Sequence, residues 1–337
     1  MDKVTSLQVA QRAGVSQSAV SRVFTPGASA SAKTIAKVRK AAAELGYHPN
    51  VLARAMVSGK SRIIGLVVAY LDNQFYPLAL ERLSNALQAQ GYHILIFTAP
   101  NSTDGVDEVM NDLMAYQVDG IILASVSISS DLAERARNAG IPVVLFNRAQ
   151  DDVGLTAVTS ANRKGGRLAA EFLLAGGHSR IAHIAGWQGS STGRDRQAGF
   201  LQALDAAGVA PSALVDGMYN RDIAIACTQE LLAAARHPDA IFVGNDHMAF
   251  AVLDTLRAAG LVAGQDISVV GYDDVPLAAW GAYALTTIRQ PVNRMVDTTV
   301  TTMLEQITTP ATPPRQIEID GRLIVRSSAR IPQGWTQ

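Results

Sequence analysis

From Ile63 onward, short apolar runs of strand character recur between segments of helical period: IIGLVVA, YHILIFT, VDGIILAS, IPVVLFN, RIAHIAG, AIFVGN and ISVVGYDD. Runs that stay apolar instead of alternating with polar residues belong to strands covered on both faces, the environment of parallel sheets wrapped by helices. The intervening helices close at Gly91, Gly140, Gly177, Gly208 and Gly260, usually just before the next strand begins. This repeated βα unit predicts a doubly wound α/β architecture. The strands are too many for one comfortable sheet, so two lobes with a cleft between them are expected. Ligands in such folds bind outside the carboxyl ends of the strands. The polar residues at those ends are therefore the site candidates: Ser125, Asn147, Arg148, Asn245, Asp246, Asp273 and Asp274.

A chain of 337 residues that is 48% hydrophobic and 17% charged has apolar material for more than one core. It contains no run of eighteen or more apolar residues, and the opening MDKVTSLQVAQRAG alternates polar and apolar residues where a signal peptide would need an unbroken apolar stretch. A cytoplasmic location is the expectation. The single cysteine, Cys227, lies in a helical pattern, where it packs as a small apolar side chain.

The net charge of zero conceals an asymmetry. Residues 1–60 carry nine Lys/Arg against only Asp2 and Glu44, so the rest of the chain is correspondingly acidic. A basic lobe on an acidic body suits attachment to nucleic acid by phosphate neutralisation and counterion release. Within that lobe, SLQVAQRA, GVS and QSAVSRVF read as two short helices around a tight turn, with Gly14 supplying its backbone freedom. Ala10 is the small residue where the helices cross, and Val20 is the plug on the second. Val15 and Val23 extend the apolar stripe, and Ser16 is placed to cap the second helix. The pattern is a helix-turn-helix.

In a major groove the second helix would offer Gln17, Ser18 and Arg22 to base edges, while Ser16, Ser21 and the helix N-terminus suit phosphates. A third helix, capped by Ser31 and closed by Gly46, is expected to bury Ile35, Val38, Ala42 and Leu45. After Pro49 the stretch to Arg62 is either a plain linker or a short helix whose Leu52, Ala53 and Met56 press into a minor groove.

Catalytic motifs fare poorly. No GxGxxG follows the first strand, and the GKS at 59–61 lacks its Walker glycine, Arg54 standing in that place. Gly189-Ser190-Ser191-Thr192-Gly193 matches a nucleophile elbow, but the last histidine, His247, precedes the final strands, which breaks the usual order of a triad. The histidines show no metal-binding spacing, and no metal or cofactor is expected. Two rival readings are a solute-binding protein, which accounts for the body only, and an α/β hydrolase working through Ser191.

At this point the chain resembles the LacI/GalR family of bacterial transcription regulators along essentially its whole length. The carrying blocks are GVSQSAVSRVF, SAKTIAKVRKAAAELGYHPNVLARAM, IIGLVV with DNQFYP, VDGIILA, GGHSRIAHIAG, RDRQAGF, VGNDHMAFAVLDTLRAAG, ISVVGYDDVPLA and LTTIRQP, in order. The resemblance implies an all-α helix-turn-helix headpiece over residues 1–48 and a hinge helix and linker over 49–61. Residues 62–337 would form a two-lobed α/β effector-binding and dimerisation body resembling periplasmic sugar-binding proteins. The lobes would comprise approximately 62–160 with 290–320, and 161–289 with 321–337. It further implies a repressor that binds a palindromic operator in double-stranded DNA as a homodimer, controlled by a small sugar-like effector. Base readout would fall on Gln17, Ser18 and Arg22, and Met56 would be the wedge of the hinge helix, where most members have Leu. Effector contacts would fall on Phe75, Arg196, Asn245 and Asp273, with Trp280 lining the cleft or packing in the core. Two departures bear on the ligand: Gln74 replaces a common Pro, and Ala161 replaces the Asp of an Asp-Asn pair, leaving Asn162. The end after LIVRSS carries no leucine heptads, so a dimer is expected in preference to a tetramer.

Overall fold

The computed structural model describes residues 4–25, 28–48, 61–69, 71–99, 103–150 and 154–335. The chain forms two compact units, Met1–Ser61 and Arg62–Gln337.

The first unit contains three helices, α1 (Ser6–Ala13), α2 (Gln17–Phe24) and α3 (Ala32–Leu45). Their ends are set by local chemistry. Thr5 and Gln8 form a reciprocal capping box on α1, while Ser16 and Ser31 accept N–H bonds from Ala19 and Thr34 at the starts of α2 and α3. Gly14, at φ 65°, turns the chain between α1 and α2 in a left-handed conformation that costs a side-chain-bearing residue strain. Val9, Ala10, Val20, Val38, Ala41 and Ala42 fill the small core. Ile35 and Leu45, expected inside, are only partly buried, because the rotation of α3 turns Ala41 inward as well.

The second unit is built on two six-stranded sheets. The first sheet holds β1 (Ile63–Val68), β2 (His93–Thr98), β3 (Gly120–Ala124), β4 (Val143–Phe146), β5 (Thr156–Ser160) and β11 (Gln316–Ile319), ordered β11-β5-β4-β3-β1-β2 and parallel throughout. The second holds β6 (Ile181–Ala185), β7 (Ala213–Asp216), β8 (Ala240–Val243), β9 (Ser268–Asp273), β10 (Thr286–Arg289) and β12 (Arg322–Ile324), ordered β12-β10-β9-β8-β6-β7. Only β12 runs antiparallel to its neighbour. Strands β1, β3, β4, β6, β8 and β9 are almost wholly buried, as their unbroken apolar runs require.

Helices α4 (Phe75–Ala89), α5 (Thr103–Ala115) and α6 (Ser130–Asn138) serve the first sheet; α7 (Asn162–Ala175), α8 (Ser191–Ala206), α9 (Arg221–Ala233) and α10 (Asp246–Ala258) serve the second. The last helix, α11 (Val292–Thr308), returns to pack on α4, β4 and β5. The chain therefore passes between the sheets three times: after Ser160, after Arg289 and after Ile319. Among the described residues no helix is long and apolar enough to cross a membrane.

Helices α7 and α8 approach each other more closely than side chains permit. A Cβ on Gly166 would sit 1.9 Å from the Arg196 carbonyl oxygen, and one on Gly199 1.8 Å from that of Arg163. Glycine at both positions lets the backbones touch, and this contact fixes where Arg196 stands.

Candidate functional site

Two groups of polar residues stand out, one in each unit. In the first, Ser16, Gln17, Ser18, Ser21 and Arg22 are all exposed along α2, while Val20 faces the core. The Gln17 amide donates to the Ser6 hydroxyl at 2.9 Å, and Arg22 Nε reaches the Ser18 carbonyl at 3.4 Å. These bonds are exposed and easily exchanged, so the donors remain available to an incoming ligand. Leu52, Ala53 and Met56 lie outside the described residues.

The second group lies where the strands of both sheets end. Asp72, Asn73, Phe75, Tyr76, Asn147, Arg148, Thr192, Arg196, Tyr219, Asn245 and Asp273 enclose one cavity. Arg196 is its anchor, 3% exposed. Its Nε donates to Asn162 Oδ1 at 2.9 Å and its Nη1 to the Gly244 carbonyl at 2.7 Å; Nη1 also lies 3.6 Å from Asp273 Oδ1. The guanidinium carbon sits 3.6 Å from the centre of the Tyr272 ring. A planar fork that meets an amide, a carbonyl, a carboxylate and a ring in this way has one orientation only.

Asp273 also accepts Gln290 Nε2 at 2.7 Å. Burial raises its carboxyl to about 6, and Arg196 and the hydrogen bonds offset only part of that effect. On the facing side of the cavity, Phe75 packs against the Tyr76 and Phe146 rings at 5.4 and 6.3 Å. The Tyr76 hydroxyl pairs with Ser125 and accepts Asn147 Nδ2 at 2.9 Å.

Several backbones around the cleft are strained. Ser125, Asn147, Met218, Tyr219, Asp273 and Asp274 all have φ between 54° and 129°, a region that residues with side chains rarely adopt. Of these, Asn147, Tyr219 and Asp273 line the cavity. Asn147 Oδ1 and Asn245 Nδ2, buried polar atoms of lining residues, have no hydrogen-bond partner among the described residues. Asn245 is held by capping α10, its Oδ1 accepting the Met248 N–H at 3.0 Å, which leaves the Nδ2 unused. Burying an amide without a partner costs about 1–3 kcal/mol, so such atoms call for a ligand that both donates and accepts.

The expected residues divide. Phe75, Asn147, Arg148, Arg196, Asn245 and Asp273 share the cavity. Ser125 stands behind Tyr76 and reaches the site only through that hydroxyl. Asp246 is not a lining residue: it points inward from the first turn of α10, where its two oxygens accept Thr287 Oγ1 at 2.6 Å and the Val275 N–H at 3.0 Å. Burial, with Asp273 nearby, pushes its carboxyl up to about 8. Trp280 is neither in the cleft nor in the core; it ends the short 3-10 helix Pro276–Ala279 and is 61% exposed. Asp274 turns away from the cleft to Arg289 and Arg326.

Tyr219, Thr192, Tyr76, Asp72 and Asn73 complete the lining and were not singled out from the sequence. Tyr219 follows β7 and its hydroxyl meets Thr192 Oγ1 at 3.0 Å. The same strand-end rule points to it, but β7 is a half-buried edge strand with too short an apolar run to be noticed.

The GSSTG segment is a helix start. Ser190 caps α8 through the Gly193 N–H at 3.1 Å, and Ser191 Oγ accepts the Ala149 N–H at 2.9 Å. Ser191 Oγ thus accepts a hydrogen bond from a backbone N–H, and among the described residues it is bonded to no base. Cys227 is half-buried, and burial raises its thiol above the usual value, the reverse of what a nucleophile needs. Among the described residues no group of three or more His, Cys, Asp or Glu could hold a metal ion.

Comparison with known proteins bears on both units of the chain. Residues 7–50 match the model described as bacterial regulatory proteins, lacI family, and residues 170–329 match a periplasmic binding protein-like domain. The chain is similar to the HTH-type transcriptional repressor PurR of Erwinia tasmaniensis, at 32% identity over 329 residues, 96% of each chain. Among solved structures it resembles a lac repressor dimer bound to operator and the anti-inducer ONPF, with a TM-score of 0.88 and 28% identity over 98% of this chain and all of that one. It also resembles a complex of the transcriptional regulator CelR with cellobiose, with a TM-score of 0.73 and 31% identity over 97% of this chain and all of that one.

Proposed function

Since this chain belongs to the LacI family of bacterial regulatory proteins, we propose that it represses transcription from a palindromic operator as a homodimer, under the control of a small sugar-like effector held between the lobes of its body. Residues 1–48 act as the DNA-binding headpiece, 49–61 as the hinge and 62–337 as the effector-binding and dimerisation domain. Gln17, Ser18 and Arg22 read base edges in the major groove, and Ser16 and Ser21 hold phosphates. Leu52, Ala53 and Met56 open the central minor groove. The protein works in the cytoplasm and is not an enzyme.

One observation supports the effector reading above the others: an acceptor, Asn147 Oδ1, and a donor, Asn245 Nδ2, lie idle in a buried, aromatic-walled cavity. Hydroxyl groups, which donate and accept at once, satisfy both atoms, and the Phe75 and Tyr219 rings suit the apolar face of a sugar. With Ala at position 161, Asn162 is committed to Arg196, so the ligand meets fewer carboxylates than a hydroxyl-rich sugar would favour. Homodimerisation suits the first sheet, whose edge strand β2 exposes Ile96 and whose Phe97 carries the exposed Tyr116 ring against it. An apolar sheet edge of this kind needs cover, and a second copy supplies it.

Control requires only that the effector prefer one arrangement of the lobes, since differential affinity sets the shift. The test is a footprint of the full chain on DNA flanking its own gene, at fixed salt, with a panel of sugars and sugar acids. A protected palindrome modulated by one compound is expected. Ligands that bind the cleft at saturation and leave operator affinity unchanged would refute the reading.

A further inference from the structure

A second cavity, of about 490 Å³, adjoins the first, sharing Phe75 and Asp273 in its lining. It is notable for its charge. Four arginines line it, Arg82, Arg289, Arg294 and Arg326. Asp274, whose side chain is 4% exposed, is shared between two of them, accepting Arg289 Nε at 2.5 Å and Arg326 Nη2 at 2.7 Å. Asp273, the other carboxylate in the lining, is already engaged by Gln290 and Arg196. Among the described residues, Arg82 and Arg294 have no ion-pair or hydrogen-bond partner. Guanidinium groups crowded round a concave surface repel one another unless an anion joins them, and a phosphate accepts the bidentate fork that arginine offers.

Two further features point into the same space. Gln290, 2% exposed, lines the cavity, and its Oε1 has no hydrogen-bond partner among the described residues, a buried acceptor that a ligand hydroxyl would satisfy. The 17-residue helix α11 starts at Pro291 with no side-chain cap, so the N–H groups of Asn293 and Arg294 are open there.

We propose that this cavity is a binding site for a small phosphorylated polyol, separate from the interlobe cleft. The phosphate would lie among the four guanidinium groups and a hydroxyl would donate to Gln290 Oε1. Arg82 and Arg294 belong to helices of the first lobe, while Arg289 and Arg326 belong to the second. An anion held by both pairs ties the lobes together and biases their angle without occupying the cleft.

The test is titration of the full chain with glucose 6-phosphate, inorganic phosphate and glucose at constant ionic strength, followed by calorimetry. Saturable binding of glucose 6-phosphate is expected, weakened on the order of tenfold or more in the Arg82→Gln/Arg294→Gln variant, whose changed side chains are away from the core. The Asn245→Ala variant, altered in the cleft, should bind glucose 6-phosphate as the parent does. Absence of saturable binding, or binding unchanged in the double arginine variant, overturns the site. Equal affinity for inorganic phosphate overturns the polyol assignment. Loss in Asn245→Ala with retention in the double arginine variant places the ligand in the cleft and refutes the proposal. Because the readout is binding to protein alone, each result is independent of whether an operator is recognised.

Discussion

Arg22 and Arg196 are both arginines on helices, and the two regions they represent hold polar groups in opposite ways. Arg22 is exposed and makes one weak contact to its own helix. Arg196 is buried and engages Asn162, Gly244, Asp273 and Tyr272. The headpiece keeps the exposed polar side chains of α2 free and stabilises itself with a small apolar core beneath them, so surface chemistry and folding are separable there. In the cleft the side chains that line the cavity also support the fold. Evolution can therefore respecify the headpiece by single substitutions, while a changed cleft must keep its internal bonds satisfied.

The largest effect expected from this contrast is at Arg196. Arg196→Ala leaves the Asp273 carboxylate, the Asn162 oxygen and the Gly244 carbonyl without their buried partner, and should destabilise the body by about 3–5 kcal/mol. Denaturant unfolding followed by tryptophan fluorescence suits the measurement, since Trp187, Trp280 and Trp335 all lie in the body. A loss below about 1 kcal/mol would erase the distinction between the two regions.

Acid should act on the body in the same sense through His183. This side chain is buried against the Phe200 and Phe242 rings, and burial lowers it to about 4 from 6.5. Its neutral form is favoured in the folded state, so its contribution is complete above pH 6.5 and is lost as pH falls toward 4, amounting to about 3 kcal/mol in all. Asp246 and Asp273, raised by burial, run the other way: they favour the fold at low pH and lose that contribution as pH rises. Comparison of the pH–stability curves of the parent and His183→Leu isolates the histidine, and the variant should lack one proton's worth of slope between pH 4 and 6.5. Parallel curves would mean that the ring is protonated in place.

A smaller effect, and one confined to DNA, is expected at Arg22. Arg22→Ala should lose about 1–3 kcal/mol on the preferred base pair and relax specificity there, with unfolding of the protein shifted by less than about 0.5 kcal/mol. An equal loss on every sequence would assign Arg22 to phosphate instead. The least effect belongs to the Arg12–Glu44 pair, 2.7 Å apart but largely exposed. Glu44→Ala should cost about 0.2–1 kcal/mol, less at high salt, and a larger value would make the headpiece depend on its charges as the cleft does.

The same contrast explains how much could be read beforehand. The headpiece was legible because its structure is local: the caps at Ser16 and Ser31 and the turns at Gly14 and Gly46 follow from residues a few positions away. The sheets were legible through their unbroken apolar runs, and the strand-end rule found Asn147, Arg148, Asn245 and Asp273. It also proposed Asp246, and only the rotation of α10 separates the two neighbours: Asn245 caps the helix at the cleft while Asp246 enters the interior toward Thr287. Trp280 was expected to line the cleft or pack in the core, as a large aromatic side chain suits either, whereas its turn carries it outward. Tyr219, after β7, and Thr192, in the first turn of α8, come together across twenty-seven residues of chain, through a contact that no local period encodes.

The three crossings between the sheets have a bearing on how the body comes into being. The first sheet lacks its edge strand until residues 316–319 pair with β5, and the second until residues 322–324 pair with β10. A ribosome that has already released the headpiece helices, each bonded to near neighbours, must go on to produce these last two strands before either lobe is complete. The two lobes then close almost together, once residue 324 has emerged, whereas the headpiece needs only local contacts to form. Loss of a few residues around 316–324 should thus damage both halves of the body at once, and neither lobe can be obtained whole by a single cut in the chain.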